Sequence, residues 1–289
     1  MLIDTHCHLD ASEFDADRDE VIKTASQQGI QMMVIPAVYR DNFEIVTQLA
    51  QQNLCCAHAL GIHPMYVERS NPEDIALLAE TLKTQLNSEQ APVAIGEIGL
   101  DFFVPDYDKE KQTFYFVEQL KLAQQFDLPV ILHVRRSIDD ILKHLRKHPV
   151  KGGIAHAFNG SKQQAEQFIE LGFKLGFGGA LTYPRALKIR ELAASLPLDS
   201  IVLETDAPDI PPEWLKNGGR NSPAELKKIA EILAESKKSQ LSEERVKPNG
   251  SEGGSNSAKG GAVSGDQTNP SKGNAVNPHD SGANPDNAR

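Results

Sequence analysis

Eight short apolar runs, at residues 2–5, 32–36, 55–61, 93–98, 130–134, 153–157, 173–177 and 201–204, punctuate the first two hundred or so positions. Each is followed by a longer stretch in which apolar residues recur at helical spacing, at 18–28, 43–52, 73–86, 108–125, 138–147, 162–171, 186–195 and 223–236. Short apolar runs read as buried strands and the longer periodic stretches as amphipathic helices. Gly29 and Gly172 stand where helices should stop, and Ser137 where one should start. Eight strands that each lead into a helix predict a (β/α)8 TIM barrel. A doubly wound sheet has fewer strands and opens with a glycine-rich phosphate loop, and the sequence contains neither GxGxxG nor a Walker-type loop.

The ends of these strands carry the chemistry. His6 and His8 in LIDTHCH, Glu97 in VAIGEIGLD, His133 in PVILHV, His156 in GGIAHAF and Asp206 in IVLETD all fall near the C-terminal end of a predicted strand. In a barrel those ends open on one face, the catalytic one. A lone strand-end histidine is more often hydrogen-bonded structure than a ligand. Six nitrogen and oxygen donors from five strands reverse that expectation and are enough for two divalent cations. His6 and His8 are two apart and point the same way, while Cys7 points the other way. Asp4 has two readings, an orienting partner for a ligand or a buried structural carboxylate. The expected division gives one metal His6, His8, Glu97 and Asp206, and the other Glu97, His133 and His156, with Glu97 bridging. Cations about 3.5–4 Å apart can activate a shared water and stabilise a leaving oxygen. Glu97 and Asp206 are the catalytic candidates, Asp206 by orienting the water and taking its proton. The mixed donor set suits Zn, Mn, Fe or Co, and Mg less well. His63, Arg135 and Arg185 lie in further loops on the same face and are the candidate substrate-binding residues.

A net charge of −10 argues against coating nucleic acid by electrostatics, without excluding local engagement of a few phosphates. Three cysteines give no disulfide framework. Met1 leads directly into the first strand, with no signal peptide and no apolar run of membrane-spanning length, so a monomer in the cytoplasm is expected. Residues 249–289 contain no Leu, Ile, Met, Phe, Tyr or Trp. Such a segment buries too little apolar surface to offset chain ordering, so the expected division is a barrel over 1–240 and a disordered tail over 241–289.

Read in order, IDTHCHLD, GIHP, AIGEIGLDF, PVILHVR, AHAFNGS, GGALTYPRA, LPLDSIVLETDAPD and RNSP resemble the TatD family of metal-dependent deoxyribonucleases, most of all its YjjV-type members. The resemblance spans about residues 2–236 and implies a TIM barrel, a dinuclear site and hydrolysis of DNA phosphodiester bonds, with exonuclease action on single strands or ends. It assigns the metals to His6, His8, Glu97, His133, His156 and Asp206. The family is related to amidohydrolases, which implies an alternative: cleavage of esters, lactones or an aminoacyl-tRNA end by the same metals. The chain departs from the family after RNSP, where a further loop and closing helix are replaced by the polar tail. Losing a few large side chains there removes about 1.5–3 kcal/mol each, from a typical stability of about 5–15 kcal/mol. A degraded copy that binds metal without turnover is the third reading.

Overall fold

The computed structural model describes the backbone of residues 1–246 and side chains through Ser242. Its strands are β1 Leu2–Asp4, β2 Ile30–Pro36, β3 Cys56–Leu60, β4 Ala94–Asp101, β5 Val130–Arg135, β6 Gly153–Ala155, β7 Phe173–Phe177 and β8 Ile201–Leu203. Helices α1 Arg18–Gln27, α2 Phe43–Gln52, α3 Glu73–Gln85, α4 Lys109–Phe126, α5 Ile138–Lys147, α6 Lys162–Glu170, α7 Leu187–Ser195 and α8 Leu226–Val246 alternate with them. All strand pairs are parallel and run in sequence order from β1 to β8. The predicted barrel is the observed one.

The ring is completed by hydrogen bonds between its first and last strands rather than by a regular ladder. Thr5 N donates to Leu203 O at 3.1 Å, and Asp206 N to His6 O at 2.9 Å. Asp4, fully buried, accepts from Thr205 N at 3.0 Å and from the Thr205 hydroxyl at 2.5 Å. Of the two readings of Asp4, the structure shows the structural one: its carboxylate reaches no imidazole ring. It is a clasp.

Every residue of β4 is buried, as expected of a parallel strand covered on both faces. Ala59, Ala94 and Ile131 form a small separate cluster with half-buried Val34. Ile131 precedes His133 by two positions and so shares its strand face, which puts this floor of small and medium side chains inside the ring beneath the site. The main apolar cluster lies between strands and helices and includes Phe14, Phe116, Phe168, Phe173, Leu226, Ile229 and Leu233. Ser137 takes the expected cap position of α5, but its hydroxyl donates to Leu100 O at 2.6 Å instead of capping the helix.

The last helix differs from expectation in extent. A 3-10 turn at Pro223–Glu225 leads into α8, which continues to Val246, beyond both 236 and the expected boundary at 240. The outer wall of β1 and β8 is thinly covered: Ile3 is 46% exposed, and Ile201, Val202 and Leu203 are each only half-buried. The rest of the expected tail lies outside the described residues. Among the described residues no helix is long and apolar enough to cross a membrane.

His58 on β3 is buried, with Nε2 3.0 Å from Gln85 Oε1 on α3. Burial holds its pKa below the ordinary 6.5, and the glutamine only partly opposes this. The unfolded chain therefore takes up this proton more readily, so stability is undiminished above about pH 6.5 and falls as the pH drops below it. Melting temperatures of wild type and His58→Gln at neutral and mildly acidic pH check this: the variant should show the shallower acid-side decline.

Candidate metal centre

Gly96 and Gly99 flank Glu97, and the second of them changes where Glu97 sits. The expected strand end at 97–98 is displaced, because β4 continues to Asp101 and leaves Glu97 inside it. Gly99 makes the extension possible. It adopts φ +149°, and a Cβ there would lie 2.0 Å from the carbonyl oxygen of His133 on the paired strand. The other donors follow their strands. His6 and His8 lie on extended chain just past β1, His156 directly after β6, and Asp206 three residues past β8 at φ +55°.

All six expected ligands converge. His6 Nε2 is 3.2 Å from His8 Nε2, 3.2 Å from Glu97 Oε2 and 3.5 Å from Asp206 Oδ1. His8 Nε2 is 3.7 Å from both of those oxygens. The other carboxylate oxygen of Glu97, Oε1, faces His133 Nδ1 at 2.9 Å, His63 Nε2 at 3.4 Å and His156 Nε2 at 3.7 Å. Three overlapping triplets bring candidate donor atoms within 4.8 Å of one another: His6, His8 and Glu97; His6, His156 and Asp206; His63, Glu97 and His133. His156 leans toward the first group, its ring stacked on that of His6 at 3.9 Å between centroids.

The residues fit a divalent cation. Donor atoms about 2.0–2.1 Å from one tetrahedral ion lie about 3.3–3.4 Å apart, and those around His6 lie 3.2–3.7 Å apart. No Lys or Arg lies within ion-pair distance of Glu97 or Asp206 among the described residues. Burial pushes the pKa of His6 and of His63 down to about 4, leaving the rings neutral with a free lone pair. Burial works to raise Glu97, but the histidines around it win and hold the carboxyl well below its ordinary range. For Asp206 burial prevails and lifts the pKa to about 6.

His63 enters the cluster differently. Its Nδ1 accepts the Met65 N–H at 3.1 Å, so the neutral ring carries its proton on Nε2. That atom faces Glu97 Oε1 at 3.4 Å, and a protonated nitrogen ligates no metal. Of the other expected substrate-binding residues, Arg135 reaches the edge of the cluster, Nη1 3.8 Å from Asp101 Oδ2. Arg185 is exposed on the loop after β7 and makes no hydrogen bond or ion pair with the cluster.

Three further residues hold the site and are absent from the expected set. Asp101, fully buried, places Oδ2 2.9 Å from His133 Nε2, leaving Nδ1 for the Glu97 side. Glu204, also buried, sits with Oε1 3.3 Å from His156 Nδ1 and accepts the Ala157 N–H at 2.5 Å. Burial opposes a charged His156, yet Glu204, Asp206 and Glu97 together raise its pKa to about 10. Carboxylates behind ligating imidazoles fix the tautomer and ring orientation. Asn221 of the RNSP motif donates to Thr205 O at 2.8 Å and Asp209 O at 2.7 Å, bracketing Asp206. Two buried glutamines of α4 do the same for the neighbouring strands. Gln112 makes a paired bond with Asp101 N and O, and Gln119 with Ile62 N and O. Asn221→Ala strips a donor from buried Thr205 O and is expected to cost about 1–3 kcal/mol, measured by urea denaturation.

The profile of the family described as TatD related DNase matches residues 3–248. The chain belongs to the TatD family. YjjV of Escherichia coli K12, described as an uncharacterized metal-dependent hydrolase, is 44% identical over 235 residues, 81% of this chain and 89% of that protein. The crystal structure of that TatD homologue superposes with a TM-score of 0.78 at 42% identity, covering 81% of this chain and 90% of its own. TATDN3 of mouse, described as a candidate deoxyribonuclease, is 33% identical over 253 residues, 82% of this chain and 81% of that protein. The TatD fold, its metal-dependent hydrolase relatives and the converging donors agree on the kind of site this is.

Proposed function

We propose that the pocket holds two divalent cations and hydrolyses phosphodiester bonds of DNA, acting on single strands or ends. The observation that carries the two-ion reading is the division of Glu97, with Oε2 turned to His6 and His8 and Oε1 turned to His133 and His156. One side chain then serves two sites. His6, His8 and Asp206 complete the first and His133 and His156 the second. Bound there, such cations polarise phosphoryl oxygens and lower the pKa of water. The chain's own groups do the rest. Asp206, 13% exposed at the mouth, orients the attacking water and accepts its proton. His63 offers its Nε2 proton to a phosphate oxygen without adding charge. Asp101 and Glu204 keep the rings of His133 and His156 turned inward. The DNA substrate is supported by the TatD related DNase family and by the description of mouse TATDN3.

The test is release of nucleotides from single-stranded oligonucleotides labelled at the 3′ or the 5′ end, with and without added divalent metal. Stepwise release that requires the metal is expected, and the label released first gives the polarity. Metal-loaded, folded protein that leaves DNA intact but turns over esters or lactones would replace the nuclease reading with a carbonyl hydrolase.

A further inference from the structure

Beside the pocket mouth, on the loops that follow β4 and β5, an exposed aromatic ring carries two arginines. Phe103 lies two residues past the end of β4 and is 39% exposed. It is tied to the pocket by Asp101, whose Oδ1 accepts the N–H of Phe103 at 2.9 Å and of Val104 at 3.3 Å. The other oxygen of the same carboxylate faces His133 Nε2 at 2.9 Å. One side chain therefore sets both a pocket histidine and the backbone of the aromatic residue, which fixes their spacing.

Arg135 and Arg136 follow His133 on the neighbouring strand. Their guanidinium carbons lie 3.8 Å and 4.5 Å from the centroid of the Phe103 ring. A stacked guanidinium uses its face, and its N–H groups radiate in its plane, so stacking leaves the donors available. Arg136 makes no hydrogen bond or ion pair among the described residues, although the chain has 40 acidic residues against 30 Lys and Arg. Its backbone is left-handed at φ +55°, a conformation that costs a non-glycine residue about 1–3 kcal/mol and is retained mainly where a site needs it. Two like charges held on one ring repel each other. A phosphate placed between them relieves that repulsion and takes paired, charge-assisted hydrogen bonds.

We propose that Phe103, Arg135 and Arg136 form a nucleotide subsite that takes the phosphate and base next to the scissile linkage of single-stranded DNA. The guanidinia hold the phosphate and the ring stacks on the base, which every base permits because each has a π face. This rests on the nuclease reading above and adds to it the residues that recognise the strand outside the reacting bond. It also gives an acidic protein a local point of contact for a polyanionic substrate, since Arg136 is, among the described residues, an unpaired cation beside the pocket mouth.

The test is binding of fluorescein-labelled single-stranded oligothymidylate, in chelator so that nothing is cleaved, followed by fluorescence anisotropy over a range of salt concentrations. Wild type, Phe103→Ala and Arg136→Ala are compared, with melting curves to confirm folding. Arg136→Ala should lower the slope of log affinity against log salt by about 0.7, the loss of one phosphate contact on a single strand. Phe103→Ala should weaken binding roughly tenfold with the slope unchanged. A merely structural ring and arginine would move neither quantity. Unchanged slope and affinity in both variants, with wild type that binds and cleaves DNA, would remove the subsite and leave the nuclease. Wild type that neither binds nor cleaves DNA would remove both.

Discussion

On the two-ion nuclease reading proposed above, Glu97→Gln is expected to reduce bound divalent metal from two ions per chain to at most one, and to lower kcat/KM on DNA by at least about a thousandfold. The substitution keeps the shape of a side chain that is 2% exposed, so the fold should survive it. What changes is acceptor capacity. A carboxylate offers an oxygen to each of its two sets of neighbours, here 3.2 Å from His6 and 2.9 Å from His133. An amide has one oxygen and one NH2 group, so whichever set faces the NH2 loses its acceptor. The buried imidazoles also lose the anion they surround. Metal analysis of purified protein and steady-state kinetics read the two effects separately. Two ions per chain and near-parental turnover in the variant would end the bridging role.

Gly99→Ala should be among the most destabilising exchanges of a single methyl group in the barrel, on the order of 3–5 kcal/mol. Two penalties coincide there. The backbone at φ +149° is one that side-chain-bearing residues rarely adopt, and the added Cβ would meet His133 O at 2.0 Å and His133 C at 3.0 Å. Both obstacles are backbone atoms of the paired strand and cannot rotate away. Relief requires parting β4 from β5 where Glu97 and His133 meet, so the variant should lose metal binding along with stability. Gly29→Ala is the control. Its φ is +89°, but nothing lies within 4 Å of the new atom, so only the backbone term applies, about 1 kcal/mol. Urea unfolding of the pair separates the two contributions, and equal losses would refute the clash.

The barrel was legible because its strands and helices announce themselves by different periods, and all eight of each appear where the apolar pattern puts them. The main errors lie where glycine or polar composition masks continuity. Gly99 reads as the end of β4, although its freedom is what lets the strand pass His133 and reach Asp101. Likewise the polar face of α8 reads as the approach to the tail, although Leu226, Ile229 and Leu233 anchor the helix and its turns propagate to Val246. The converging His, Glu and Asp donors were legible one strand at a time. Their supports were partly so, because Asp101 shares strand alternation with Glu97, and Glu204 with Asp206. A period-2 reading extended past the ligands themselves would have found both acids. Asn221, Gln112 and Gln119 leave no such trace, since each acts on the main chain of a segment distant in sequence. Nor could spacing decide the tautomer of His63, which depends on one backbone N–H two residues ahead.

The clasp between Asp4 and Thr205 spans 201 positions, and this orders events during synthesis. Asp4, His6 and His8 leave the ribosome long before Thr205 and Asp206, the partners they need. Until Thr205 arrives the sheet is an open, curling ribbon with two free edges, a long-range closure of the kind that folds slowly and sticks to its neighbours meanwhile. Chaperone dependence should accordingly peak late in translation. A cation that needs both His6 and Asp206 can be captured only after the ring has shut.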